Sequence, residues 1–217
     1  MIAKMFKNCG FVNIDYLVRN RLETKPSKIL NILNRDWRKW VKPVCMLDGG
    51  GLDPNFGYET IGTAGYDTLE DGIYGSVFTI AEDGTADLIK AAIRCTVEAK
   101  KMKCAIYKHS DLSLVGQTEE VLVPVTDPAN WITFNFTAPK PSLTANTAYI
   151  LVAWSYSSVG YARLSFDAGD ANQGHWQLLT YNGFPNPLNP GHADFKYSIY
   201  CTYTTLAKPL VTHVRIR

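Results

Sequence analysis

The stretch FKYSIYCTYT, Phe195–Thr204, decides the fold. Phe195, Tyr197, Ile199, Cys201 and Tyr203 fall on one face of it, and Lys196, Ser198, Tyr200 and Thr202 on the other. A period of two is that of a half-buried β-strand, because successive side chains of a strand point to opposite faces of its sheet. The same period recurs upstream. In WITFNFTAP (131–139), Ile132, Phe134 and Phe136 alternate with Thr133 and Asn135. In YARLSFDAG (161–169), Ala162, Leu164 and Phe166 alternate with Tyr161, Arg163 and Ser165. TAYILVAWSYS (147–157) is apolar almost throughout. YGSVFTIAEDGTADLIKAAIRCTV (74–97) reads as two strands around the turn Glu82-Asp83-Gly84. KMKCAIYKHSD, EEVLVPV and HWQLLTYNG complete a set of about eight or nine short strands, with turn signals roughly every dozen residues.

No segment of helical period separates these strands, so a parallel α/β sheet is not expected. The predicted fold class is all-β, a jelly-roll-like antiparallel β-sandwich over residues 57–205. The Cys…Trp…Cys spacing of immunoglobulin domains is absent.

Two end regions differ from this body. In residues 1–56, KPSKILNILNRDWRKWVKP (25–43) sets Ile29, Leu30, Leu33, Trp37 and Trp40 at near-helical spacing behind a Ser27 cap, bracketed by Pro26 and Pro43. This predicts a short amphipathic helix that needs a packing surface, on its own domain or on a partner. LDGGGLDPNFG (47–57) follows as a linker. The last segment, LAKPLVTHVRIR (206–217), reads as an extra edge strand or an extended arm.

The 217 residues carry a net charge of +2, unevenly spread. Residues 1–56 hold ten Lys/Arg against five Asp/Glu, residues 57–205 nine against fifteen, and residues 206–217 three cations. Basic ends around an acidic middle point to neighbouring subunits of an assembly as partners, including further copies of this chain. The basic residues are spread out and form no dense run, which argues against nucleic acid. MIAKMFKNCGFVNIDYLVRNR lacks the apolar stretch and cleavage site of a signal peptide, and no run is long enough to span a membrane. Synthesis in a cytoplasm is therefore expected.

Five cysteines occur, at 9, 45, 95, 104 and 201, without CxxC or zinc-finger spacing. Buried free thiols are the favoured reading; pairing of Cys95 with Cys104 across a hairpin is the alternative. Nucleophile-elbow, HExxH, Walker and dinucleotide motifs are all missing. The acidic neighbours Glu119-Glu120 and Glu70-Asp71 point to opposite faces if they lie in strands, so neither serves as a glycosidase pair. The four histidines, at 109, 175, 192 and 213, lack helical i, i+4 or strand H-x-H spacing. No enzymatic activity is expected.

The polar run DAGDANQGHWQ (167–177) is the most site-like stretch. Asn172, Gln173, His175, Trp176 and the nearby Tyr181 combine amides with aromatic faces, the chemistry that holds sugars. Asp167, Asp170 and Asn172 supply calcium-type oxygens in a D-x-x-D-x-N spacing, which is not the EF-hand order.

Several stretches together carry a resemblance: GSVFTIAEDGTADLIKAAIR, CAIYKHSDLSLVGQTEEVLV, NWITFNFTAPKPSLTANTAYILVAW, DAGDANQG and YSIYCTYT. In this order they resemble the non-catalytic jelly-roll modules, related in style to carbohydrate-binding modules, found on extracellular and phage structural proteins. The resemblance covers residues of about 58–204. It implies a displayed binding module, and it makes a structural calcium at Asp167, Asp170 and Asn172 a cofactor to test. With the charge pattern and the missing signal peptide, it predicts a virion component such as a capsid-decoration, fibre or tail-associated subunit, forming homo-oligomers. A glycan-binding module or lectin-like adhesin at a cell surface is the alternative.

Overall fold

The computed structural model describes residues 54–156 and 159–205, and every regular element among them is a strand. The helix expected at 25–43, most of the linker and the arm at 206–217 lie outside the described residues, as do Cys9 and Cys45. In chain order the strands are β1 (Asn55–Gly57), β2 (Gly65–Thr68), β3 (Gly72–Thr79), β4 (Gly84–Cys95) and β5 (Lys100–Lys108). Next come β6 (Leu114–Gln117), β7 (Val121–Val123), β8 (Thr126–Asn135), β9 (Ser142–Leu143) and β10 (Ala148–Ser155). The last five are β11 (Ala162–Ala168), β12 (Gly174–Leu178), β13 (Gly191–Ala193), β14 (Phe195–Tyr197) and β15 (Ile199–Thr205).

These strands form two antiparallel sheets. The first is built on β4, with β8 and β9 along one side and β15 then β11 along the other. β1 borders β15, and β2 and β14 border β11. The second runs β13-β12-β3-β10-β5-β6, with β7 against the start of β5. The excess over the eight or nine strands expected comes from elements of two to four residues, too short for a sequence period to register.

The opening stretch is a strand with a step in it. Phe195–Tyr197 pairs with β11 and Ile199–Thr205 with β4. Ser198 makes the step: its amide donates to Ser165 O (2.9 Å), and its carbonyl and hydroxyl accept from Ala92 N (2.9 Å) and Gly62 N (2.8 Å). The predicted inner face is nevertheless continuous. Tyr197, Ile199, Cys201 and Tyr203 are buried in the inter-sheet core, Phe195 packs against it, and Phe134, Phe136, Ala162 and Leu164 join it from β8, the residue after it and β11.

β10 is buried on both faces, which explains why TAYILVAW does not alternate. Tyr149, Leu151 and Ala153 enter the core between the sheets. Ile150, Val152 and Trp154 face outward into a second apolar layer with Ile73, Ala105 and Tyr107. That layer is roofed by Phe184 and Leu188 from the proline-rich loop YNGFPNPLNPGH. The Tyr107 hydroxyl donates to Pro185 O (2.8 Å), and Leu188 N to Leu112 O (2.9 Å), fastening the roof.

Several connections cross between the sheets. Glu82-Asp83-Gly84 carries the chain from β3 in the second sheet to β4 in the first. The charged turn after Cys95 carries it back to β5, so Cys95 and Cys104 sit in opposite sheets and not across a hairpin. Both are free thiols, as is Cys201, and all three are buried in the inter-sheet core. The turn in SLTANTAY leads into β10 as expected, with Asn146 at φ 55°, a left-handed conformation that asparagine tolerates. Among the described residues there is no helix long and apolar enough to cross a membrane.

Candidate functional site

The run Asp167–Gln177 leaves β11 in one sheet and enters β12 in the other. Its middle is a crossing turn held by its own polar groups. Gln173 Oε1 accepts from Asp170 N (3.0 Å), and Gln173 N donates to Asp170 O (3.1 Å). Asn172, at φ 57°, donates its amide to Asp194 Oδ1 (2.8 Å), and Gln173 Nε2 reaches Val77 O (3.4 Å). Asp167 accepts from the Tyr58 hydroxyl (2.7 Å) and from the amides of Thr63 (2.8 Å) and Ala64 (3.1 Å), tying residues 58–64 to β11. The Tyr58 bond first, then the amides, hold the Asp167 carboxyl below the usual carboxylate range. Among the residues weighed for calcium, the Asp167 carboxylate therefore already has protein partners on both oxygens. Among the described residues no three His, Cys, Asp or Glu side chains converge, as placed, on one metal position.

Alternation along β12 separates the residues weighed for sugar binding. Trp176 and Leu178 look into a small open cleft of about 250 Å³ with Asp67, Tyr74, Phe195 and Tyr197. Trp176 is 38% exposed, and its ring lies so close over Gly191 that a Cβ there would fall 2.7 Å from it. The Tyr197 hydroxyl donates to Asp67 at the floor of the cleft. His175 and Gln177 face the other way, under the proline-rich loop, where Gln177 Oε1 accepts from Asn189 N (2.9 Å).

Tyr181 belongs to a different and larger cleft, about 690 Å³, with Lys101, Lys103, Glu120, Tyr156 and Asn182. Lys103 Nζ stands over three rings, 4.7 Å from the centroid of Tyr181, 5.2 Å from Phe184 and 5.3 Å from Trp154, and donates to the Asn182 carbonyl. Burial lowers its pKa. Glu120 accepts from the Tyr181 hydroxyl (2.9 Å) and pairs with Lys101 (3.2 Å). Burial alone would raise the Glu120 pKa; these two partners bring it below the ordinary value. Tyr156 is 51% exposed and stands edge-on to Tyr181, with centroids 5.9 Å apart. Two cations, one carboxylate and two tyrosines in an open concavity suit the gripping of a polar ligand. Lys101, Lys103 and Asn182 carried no signal in the sequence, and Glu120 stood out only as half of an acidic pair, because β5, the segment after β6 and the proline-rich loop meet only through the sheet register.

The structure also unites three of the four histidines. The ring of His175 lies between those of His192 (centroids 4.8 Å apart) and His109 (5.4 Å), edge to face with each. His175 and His192 are opposed across β12 and β13, and His109 follows the end of β5. His175 is buried, and its Nδ1 lies 3.2 Å from Gln173 O. A carbonyl only accepts, so Nδ1 carries the proton and Nε2 holds a lone pair. Burial above all pushes the His175 pKa down to about 4, helped by His192 and His109 and opposed by the Gln173 bond. No short-range spacing announced this cluster: its members come from distant points of the chain. No protein-family model matches this chain, and a search of curated proteins found no match either.

Proposed function

We propose that this chain is a non-enzymatic structural and interaction protein. In this reading it is a jelly-roll-type sandwich displayed on a larger assembly, such as a virion, and anchored there by its two basic end segments. One observation carries the reading. The points where the sandwich joins those segments lie side by side: β1 pairs with β15 in the register Asn55↔Thr202, and Pro54 O accepts from Tyr203 N (3.0 Å). The chain thus leaves the acidic sandwich toward both cationic segments from neighbouring points. Among the described residues, the first strand lies beside the last and the last beside β4, a neighbour order that supports a jelly-roll assignment.

The opposite end carries the recognition features. β4 starts at Gly84, opposite Thr205, and runs for twelve residues, or roughly 36 Å at a strand's rise, to Cys95. The turn after Cys95 leads into Lys101 and Lys103, so the larger cleft lies at the far end. Exposed Val97, Val159 and Tyr161 lie there too. An anchor at one pole and a cleft at the other is the layout of a displayed module. Light scattering and electron microscopy of the purified full chain test this reading, with regular multimers that dissociate as salt is raised as the expected result. A monodisperse monomer at every salt concentration overturns it.

Glycan binding is a second reading, favoured by the exposed Tyr156 beside Tyr181 and the charged groups around them. Stacking of a sugar on Tyr156 predicts that Tyr156→Ala abolishes glycan-array binding. Binding that survives that variant and is lost in Trp176→Ala moves the site to the smaller cleft.

A further inference from the structure

We propose that His175, His192 and His109 form a binding site for a first-row divalent transition ion of the zinc and copper class. Neutral imidazole is a ligand for both. The cluster holds an orphan lone pair. His175 Nε2 is buried and has no hydrogen-bond partner, a state in which few buried polar atoms are left. Its Nδ1 proton is held by the Gln173 carbonyl, the outer contact that fixes the tautomer and orientation of a metal-bound histidine. His192 and His109 flank it at centroid separations of 4.8 and 5.4 Å. Two imidazoles sharing one tetrahedral ion, each nitrogen about 2 Å from the metal, have centroids roughly 5 Å apart. The two ring separations to His175 are thus of the size that two imidazoles on one ion show.

What remains is orientation. As placed, the rings stand edge to face and do not point their nitrogens at one spot. His109 and His192 are both exposed, which leaves other side-chain rotamers open to them. His175 is the fixed ligand and the two exposed histidines close on the ion. Water fills the coordination positions that remain. The site stands at the end of β5 away from the cleft lined by Lys103, so it is independent of the proposed recognition end.

The test is calorimetric titration of the tag-free full chain with zinc or copper(II) at neutral pH, with electron paramagnetic resonance of the copper form. The expected result is about one ion per chain, nitrogen hyperfine structure on copper, and affinity weakened roughly tenfold or more in each of His109→Ala and His192→Ala. Both residues are exposed, so these variants keep the fold, and His213→Ala leaves binding unchanged. No binding up to millimolar metal overturns the proposal. Binding that persists in the double variant His109→Ala/His192→Ala, or that disappears in His213→Ala, also overturns it.

Discussion

Single residues set the local costs of this sandwich. Val97 sits at φ 74°, a left-handed conformation that a β-branched side chain rarely adopts, and it is exposed. Val97→Asn therefore relieves strain without losing burial, and chemical denaturation should show a gain of about 1 kcal/mol. Beside it Gly160, at φ 86°, has Thr96 O only 2.4 Å from where a Cβ would stand, so Gly160→Ala should destabilise. Asp167 carries an acid-side dependence. Its folded pKa is depressed, so its contribution is complete above the unfolded value near 3.9 and is lost as pH falls through the lower folded value. Denaturation curves of Asp167→Asn should thus lose part of the wild-type decline below about pH 4. At this scale the sequence was informative about residue type and silent about role. DAGDANQGHWQ announced polar density, but its Asn172 amide and Gln173 side chain hold a crossing turn, while His175 gains its interest only from His192 and His109, whose contacts depend on tertiary register.

Elements were legible where only one face is apolar. β8, β11 and the stepped pair β14–β15 alternate because one side alone faces the inter-sheet core, and the inner residues expected from that alternation lie in that core or pack against it. β10 was legible as a strand, but the reason for its continuous apolar run was not. It needed the roof over the second sheet, and nothing in YNGFPNPLNPGH states where that loop lies. Cutting the roof should therefore hurt as much as cutting the core. Phe184 packs on Trp154 (5.2 Å between centroids) and Tyr107 (6.3 Å), and Phe184→Ala should cost about 3 kcal/mol or more in denaturant titration. Sheet membership was the other hidden quantity. Both strand order and the placement of Cys95 and Cys104 in opposite sheets are set by pairings between distant segments, which local periodicity does not encode.

At the scale of the whole molecule, charge and topology point the same way. In the sequence the acidic residues lie between two basic segments, and the pairing of β1 with β15 sets the two junctions side by side. The larger cleft and the exposed Tyr156 and Tyr161 lie at the far end from those junctions. The charge division was readable in the sequence, whereas the convergence of the two junctions was not, because it depends on residues 55 and 202 being partners. If the poles divide the labour, changes at the cleft leave assembly intact: Tyr156→Ala and Lys103→Ala should assemble as the parent does. The most direct measurement is sedimentation velocity on the full chain beside a chain lacking residues 1–45, each with its circular dichroism. Anchoring through the ends predicts discrete oligomers for the full chain and a monomer with an unchanged β spectrum for the shortened one. Equal sedimentation as monomers, or equal oligomers with and without residues 1–45, would contradict it.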